Sequence, residues 1–331
     1  MSRFRLGVTR VGERYDAIVV GAGPAGLTAA LYLARYNVKT VVVSKDLGGN
    51  MAIAPLVDDY PGIPEVPGAK LADMFVNHVK KYGVPIIVGD PVTSVKREDD
   101  MWCVETESGR RICAYVVILA IGAEKRKLNV PGEDRFVGKG VSYCATCDGP
   151  LFKDKVVAVV GGGNSALTSA LYLASIAKKV YLIHRRDSFK AFPVYVERVK
   201  SNPKIEIVLN SIVTEILGDE KVTGVRVRNV VTGEERVINV DGVFIEIGSQ
   251  PPKDFLKSIG LELDEEGYIA VNPDMSTNLP GIFACGDVAG GKYAYRFEQI
   301  ITAAAEGAIA ADAAYKYLLK IKTTKTEESR G

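Results

Sequence analysis

The chain has 331 residues, longer than a single core usually grows, so two domains are expected, and 47% hydrophobic residues are enough to fill them. Its 42 Lys and Arg stand against 40 Asp and Glu, a formal net charge of +2, which excludes the electrostatic footprint of a nucleic-acid binder or of a protein held to an anionic membrane. Five cysteines are too few for a disulfide scaffold in so long a chain.

Arg3, Arg5, Arg10 and Arg14 open the sequence, but Gly and single apolar residues interrupt them and no apolar run of signal-peptide length follows. This reads as an arm. Residues 16–20 predict a buried parallel strand, 23–35 a helix and 40–44 the next strand, a Rossmann half. After a loop rich in Gly, Asp and Pro (48–68), Leu71, Met74, Phe75, His78, Val79 and Tyr82 recur at the spacing of one helix face, predicted to pack on the sheet.

Residues 91–115 alternate with turn signals and predict a meander. Within it Cys103 and Cys113 flank Ser108-Gly109; a two-residue loop there would pair 103 with 114, put the two thiols on opposite faces and leave both as buried small hydrophobes. Residues 116–121 return as an apolar strand, and the longest such runs, as at 115–121, fall well short of a membrane span. A soluble cytoplasmic protein is expected.

A polar, Gly- and Pro-bearing stretch at 122–140 suits a crossing between domains. The opening unit is then repeated: residues 20–44 recur without a gap as residues 160–184, and a second meander and apolar strand follow at 212–231 and 243–248. A second polar crossing lies at 249–254. The remainder, 267–319, has short strands, the turn Cys285-Gly286-Asp287-Val288 and an Ala-rich helix from about Glu298. Two crossings and a tail without strands for its own core predict that the second domain is inserted into the first; 322–331 are charged and expected to be disordered.

Each copy of the repeat carries a dinucleotide fingerprint. In the first, Gly21 allows the tight turn, Gly23 the close approach of backbone to a pyrophosphate, and Gly26 the packing of helix on strand. The acid customary at the end of the second strand is replaced by Ser44, and Asp46 is the nearest carboxylate. The second fingerprint, Gly161-x-Gly163-x-x-Ala166, leads to a strand ending in His184-Arg185-Arg186. A carboxylate there would repel a ribose 2′-phosphate, whereas guanidinium groups bind it, so NADP(H) is expected over NAD(H). Cys144-Ala145-Thr146-Cys147 lies just before the second copy and supplies a two-electron acceptor. Reading it as half a zinc site would demand two further ligands, and there is no second Cys pair, so no metal is expected. Asp148 next to it either transfers protons as thiolates form or shapes the turn before Gly149-Pro150. By chemistry alone Gly286-Asp287 is an Asp-led turn.

GAGPAG, Gly48-Gly49 with Tyr60-Pro61-Gly62, CATCDG, GGGNSA, HRRDSF and GIFACGDV together resemble the low-molecular-weight, FAD-containing thioredoxin reductases of the pyridine nucleotide-disulfide oxidoreductases, over about residues 15–320. The resemblance implies an α/β fold of two Rossmann-like domains, each a three-layer parallel sheet plus a meander, with an NADPH domain (124–250) inserted into an FAD domain (1–123 and 251–331). It implies FAD at Gly21, Gly23, Pro24, Ala25, Gly26, Gly48 and Gly49, with Asp287 on the ribitol and Gln299 near the isoalloxazine. NADPH would lie at Gly161, Gly163, Asn164, Ser165, Ala166 and His184, its 2′-phosphate on Arg185 and Arg186, with Lys190 where the family has Arg. Cys147 would face the flavin and Cys144 attack thioredoxin or a thioredoxin-like protein, in a homodimer whose NADPH domain rotates. Glu298 stands where an Arg is common, leaving Arg296 to supply any cation near the flavin edge; Asn50-Met51 and Cys285 also depart from the pattern. Other readings are a dithiol oxidase, an electron donor to a peroxiredoxin- or ferredoxin-type partner, and a redox-silent nucleotide-binding protein.

Overall fold

The computed structural model describes residues 13–54, 56–292 and 297–328, so most of the arginine-bearing start and Arg296 lie outside the described residues. The chain divides into two units, the second inserted into the first. One holds Met1–Met51, Ala72–Gly122 and Pro251–Gly331 as far as these are described; the other holds Ala52–Leu71 and Ala123–Gln250.

The first unit is built from β1 (Glu13–Ala22), α1 (Pro24–Arg35), β2 (Thr40–Leu47), the single turn α2 (Gly49–Ala52), α3 (Gly68–Lys81), β3 (Ile86–Val88), β4 (Val92–Glu98), β5 (Met101–Thr106) and β6 (Arg111–Leu119). Its seven-stranded sheet runs β3-β2-β1-β6-β5-β4, with a later strand added on β6. β3, β2, β1 and β6 are parallel, while β4 and β5 complete an antiparallel meander. Ile18, Val42 and Ile118 are fully buried, as parallel strands covered on both faces must be.

In the second unit β7 (Glu124–Lys125), β8 (Val141–Ser142) and the short α4 (Ala145–Asp148) precede the repeat β9 (Val156–Gly161), α5 (Asn164–Ile176), β10 (Lys179–Ile183). Then come α6 (Pro193–Ser201), β11 (Ile205–Val208), the meander β12 (Ser211–Gly218), β13 (Val222–Asn229), β14 (Glu235–Asn239), and finally β15 (Gly242–Glu246) and β16 (Ser249–Gln250). The parallel sheet is β11-β10-β9-β15-β8. Its residues sort by period two: Val157, Val159 and Leu182 pack with α5 and α6, while Ala158, Val160 and Ile183 pack with Val213, Val225 and Val227 of the meander. That is the expected three-layer arrangement. The two polar crossings meet as an antiparallel ribbon, Ser249 opposite Lys125.

The returning segment carries α7 (Lys253–Ile259), β17 (Ile269–Ala270), β18 (Ile282–Ala284), β19 (Ala289–Gly290) and α8 (Ile300–Glu328), and β18 extends the first sheet beside β6. Helix α8 continues to Glu328, seven residues into the stretch expected to be disordered, because no Gly or Pro follows Gly307 until Gly331.

In the first unit Cys103 and Cys113 are not on opposite faces. Cys103 pairs directly with Cys113 across β5 and β6, and the two form a disulfide. The loop has three residues, not two: Thr106 N–H bonds to the Arg110 carbonyl, and Gly109 takes φ +80°, the left-handed position that closes such a loop. One extra residue reverses the parity of the pairing and brings the two thiols to one face. On α3 the buried stripe is Leu71, Ala72, Val76 and Val79, with Met74, His78 and Tyr82 outward. Ala72 and Val76 make a more continuous apolar stripe than the set containing His78.

Candidate functional site

The first fingerprint sits where β1 meets α1. Gly21 has φ +107°, and a side chain there would strike the Ala120 carbonyl of the neighbouring strand's end, 2.2 Å from a Cβ. A Cβ on Gly26 would lie 1.9 Å from the Gly21 carbonyl, so α1 rests on the turn itself. Around Gly23, by contrast, a Cβ would meet nothing within 4 Å. Pro24 opens the helix, Ala25 is buried beneath it, and no side chain caps the start of α1, as pyrophosphate binding requires.

The other first-site residues converge on this point. Gly48 N–H bonds to the Ala22 carbonyl at 2.8 Å, and a Cβ on Gly49 would come 3.6 Å from the Gly23 Cα. A Cβ on Gly286 would lie 2.9 Å from that of Ala25, so the Asp287 turn abuts the start of α1. The lead into α8 begins one turn before Ala303, where the Gln299 carbonyl accepts the Ala303 N–H at 3.0 Å. Ser44, in the place of the customary acid, accepts the Ala22 N–H at 3.0 Å and donates to the Asp46 carbonyl at 2.7 Å; Asp46 itself is exposed. Cys285 is fully buried, and burial pushes its thiol far up, which makes it an inert packed group. An open helix N-terminus with a carboxylate on the adjoining turn fits a dinucleotide's pyrophosphate and hydroxyls.

The second fingerprint repeats this geometry in the second unit. A Cβ on Gly161 would lie 2.1 Å from the Glu246 carbonyl and 2.7 Å from the Ala166 Cβ, while Gly163 again faces open space. Asn164 Oδ1 accepts the Phe192 N–H at 2.8 Å, Ser165 is exposed and Ala166 is fully buried. His184 is 8% exposed, its ring lies against Gly162, and Nε2 stands 3.0 Å from the Ser188 carbonyl. Burial is the main cause that lowers its pKa, with Arg185 and Arg186 adding to it, so the ring is a neutral support for the turn. Arg185, Arg186 and Lys190 are exposed, and Lys190 N–H bonds to the Gly162 carbonyl at 2.8 Å. The basic loop is thereby fastened to the fingerprint.

The dithiol belongs to the same unit. Cys144 and Cys147 form a disulfide with their Cα atoms 5.4 Å apart. Cys144 caps α4: its Sγ accepts the Cys147 N–H at 3.1 Å, and its own N–H bonds to Ser142 Oγ at 3.0 Å. A hydrogen bond aimed at Sγ favours the thiolate at Cys144 once the bond is opened. Cys147 is exposed and Cys144 half-buried. Asp148, half-buried, ends α4, and its N–H bonds to the Cys144 carbonyl at 3.2 Å. The Thr146 hydroxyl donates to the Ile53 carbonyl.

Sequence reasoning missed three carboxylates that hold these parts. Glu306 of α8 accepts the Gly286 N–H; Glu246 bonds to Ser169 Oγ and to Lys125 Nζ, each at 3.0 Å; and Glu133 bonds to the residue before Cys144. Glu133, two positions after Pro131 in the polar linker, reads in sequence as a solvated charge, because its partners are backbone amides and a phenol.

Among the described residues no helix is long and apolar enough to cross a membrane, and no group of three or more His, Cys, Asp or Glu is placed to hold a metal ion. A thioredoxin reductase from Listeria innocua is 40% identical over 317 residues, covering 95% of this chain and 97% of that one. The crystal structure of Lactococcus lactis thioredoxin reductase in its FR conformation superposes with a TM-score of 0.88 at 37% identity, over 92% of this chain and 99% of that one. A subunit of the alkyl hydroperoxide reductase of Staphylococcus epidermidis is 38% identical over 93% of this chain but only 60% of its own length. The profile of the pyridine nucleotide-disulphide oxidoreductases matches residues 15–307, and the chain, an oxidoreductase, belongs to that family.

Proposed function

We propose that the chain is an NADPH-dependent thioredoxin-disulfide reductase. The observation that carries this reading is the disulfide of Cys144 and Cys147 on the same unit as a second dinucleotide turn edged by Arg185, Arg186 and Lys190. FAD would be held by Gly21, Gly23, Pro24, Ala25, Gly26, Gly48, Gly49 and Asp287, with Gln299 near its ring, in a domain of residues 1–123 and 251–331. NADPH would be held by Gly161, Gly163, Asn164, Ser165 and Ala166, over His184, in a domain of residues 124–250. When bound, the flavin accepts a hydride from the nicotinamide and can pass the electron pair to a disulfide.

The chain's own residues then do the following. The disulfide, on receiving two electrons and a proton, opens with a thiol at Cys147 and a thiolate at Cys144, favoured by the Cys147 N–H. The Cys144 thiolate attacks one sulfur of the partner's disulfide, forms a mixed disulfide and releases the partner's other sulfur as a thiolate. Cys147 then gives up its proton, which the released partner thiolate takes up, attacks Cys144 Sγ, re-forms the internal bond and expels the partner's second sulfur as a thiolate, which takes a proton from solvent to complete the dithiol. Asp148 is the nearest carboxylate in sequence for the proton transfers. A cytoplasmic homodimer whose NADPH domain rotates completes the reading.

The basic loop favours a phosphorylated pyridine nucleotide over a ferredoxin as donor. Likeness to the alkyl hydroperoxide reductase component points to a second acceptor, a peroxiredoxin-type disulfide reduced by the same dithiol. Turnover of NADPH with thioredoxin, measured in Cys144→Ser and Cys147→Ser variants, tests the reading. Both variants should retain flavin reduction by NADPH and lose thioredoxin turnover; a serine variant that still turns over thioredoxin would refute it.

A further inference from the structure

Glu133 lies in the polar linker of the second unit, yet it is only 2% exposed. Three donors converge on its carboxylate: Leu128 N–H at 2.9 Å and Tyr143 O–H at 2.6 Å on Oε1, and Asn129 N–H at 2.6 Å on Oε2. A buried carboxylate is costly unless such donors are in place, and an apolar side chain would fill the same volume without them. Tyr143 immediately precedes Cys144 and packs its half-buried ring against the core around Phe136 and Val141. Burial and the neighbouring Glu133 raise the phenol well above its ordinary range, so Tyr143 stays a hydrogen-bond donor and does not serve as an acid.

Three anchors therefore fix the backbone that delivers Cys144. Ser142 pairs with Phe244 in the sheet. Its hydroxyl accepts the Cys144 N–H and donates to the Cys144 carbonyl at 3.2 Å. Tyr143 is tied through Glu133 to Leu128 and Asn129, where the linker enters the unit. We infer that Glu133 and Tyr143 are positioning residues for the redox pair, holding Cys144 at the head of α4 where its sulfur meets the Cys147 N–H. The inference rests on the function proposed above, but concerns a carboxylate and a phenol that touch no reacting atom.

The test is Tyr143→Phe, which keeps the ring and removes the donor. The reduced enzyme, prepared with dithiothreitol, is alkylated with iodoacetamide, and mass spectrometry resolves the rates at Cys144 and Cys147. Loss of a charge-assisted bond should slow Cys144 about three- to tenfold relative to Cys147. The kcat with thioredoxin should fall by a similar factor, with KM for NADPH and flavin reduction unchanged. Glu133→Gln should slow Cys144 in the same direction. Wild-type rates at Cys144 in Tyr143→Phe, or equal slowing of both cysteines with a lowered Tm, would overturn the inference. If Glu133→Gln fails to fold, Tyr143→Phe alone decides. Failure of the unmodified enzyme to reduce thioredoxin would sink the proposed function instead, leaving the alkylation rates to judge the positioning role.

Discussion

The Glu306 carboxylate accepts the backbone N–H of Gly286 at 2.7 Å. The next residue on α8, Gly307, lies so close to α1 that a Cβ would come 2.2 Å from the Ala25 carbonyl. Glu306 thus joins the Asp287 turn to the first fingerprint. Glu306→Ala would leave a partly buried N–H without its acceptor, a cost of about 1 kcal/mol, and FAD affinity of the apoprotein should fall roughly five- to tenfold. Glu306→Gln keeps an acceptor oxygen and should bind FAD like wild type. Fluorescence titration of the two apoproteins separates these outcomes.

The same carboxylate sets a pH dependence. Burial chiefly, with the Asp287 charge adding, raises the Glu306 pKa above its unfolded value, against the lowering effect of the Gly286 bond. Between those two pKa values the folded state holds more protons than the unfolded one, so this group's contribution falls as pH rises. Glu306→Gln removes that loss. Its Tm relative to wild type should be higher above this window than below it; a difference that does not change with pH would contradict the assignment.

Two glycine substitutions separate folding from binding. A methyl on Gly26 would collide with the Gly21 carbonyl, whereas one on Gly23 enters open space. Gly26→Ala should lower Tm and FAD content together. Gly23→Ala should fold with a Tm within a few degrees of wild type yet bind FAD at least about tenfold more weakly, because the methyl occupies the approach of the pyrophosphate. Calorimetry and flavin absorbance after gel filtration report the two effects.

Much of this architecture is legible in the sequence, and the reason is local. Gly26 meets the Gly21 carbonyl and Ala166 packs on Gly161, contacts within one strand-turn-helix unit, so the spacing of these residues carries the strand, turn and helix with it; the Ala120 and Glu246 carbonyls that also exclude side chains at Gly21 and Gly161 come from distant strands. The parity of β5 on β6 is set by one loop residue, and a two-residue reading of Ser108-Gly109 puts Cys103 and Cys113 on opposite faces. Glu133, Glu246 and Glu306 escape a sequence reading because what makes them structural is a partner brought close by tertiary folding. The charge of a buried Glu looks in sequence like that of any surface Glu.

The Cys103–Cys113 bond closes an 11-residue hairpin in which both cysteines are buried, 4% and 7% exposed. Loop closure of that length predicts about 2–3 kcal/mol of stabilisation, or a Tm lowered by roughly 4–10 °C in a Cys103→Ser, Cys113→Ser double variant. Burial should also shield the bond from exchange with thioredoxin. Differential alkylation of the native protein, before and after unfolding in reductant, measures whether these sulfurs stay bonded during turnover.

Coenzyme choice should follow the exposed basic loop. Arg185→Ala with Arg186→Ala should raise KM for NADPH about 10- to 100-fold and leave NADH kinetics within about twofold, since only the 2′-phosphate loses its partners. Lys190→Arg should shift the NADPH to NADH ratio further toward NADPH. Steady-state kinetics with both nucleotides decide it.

In the proposed function, electrons from NADPH open the bond between Cys144 and Cys147. Anaerobic addition of one equivalent of NADPH per chain to the FAD-loaded protein, followed by alkylation and peptide mapping, tests this step without any partner protein. Two newly labelled sulfurs are expected, Cys144 and Cys147, with Cys103 and Cys113 still joined. A fully reduced flavin with Cys144 and Cys147 still bonded would contradict it.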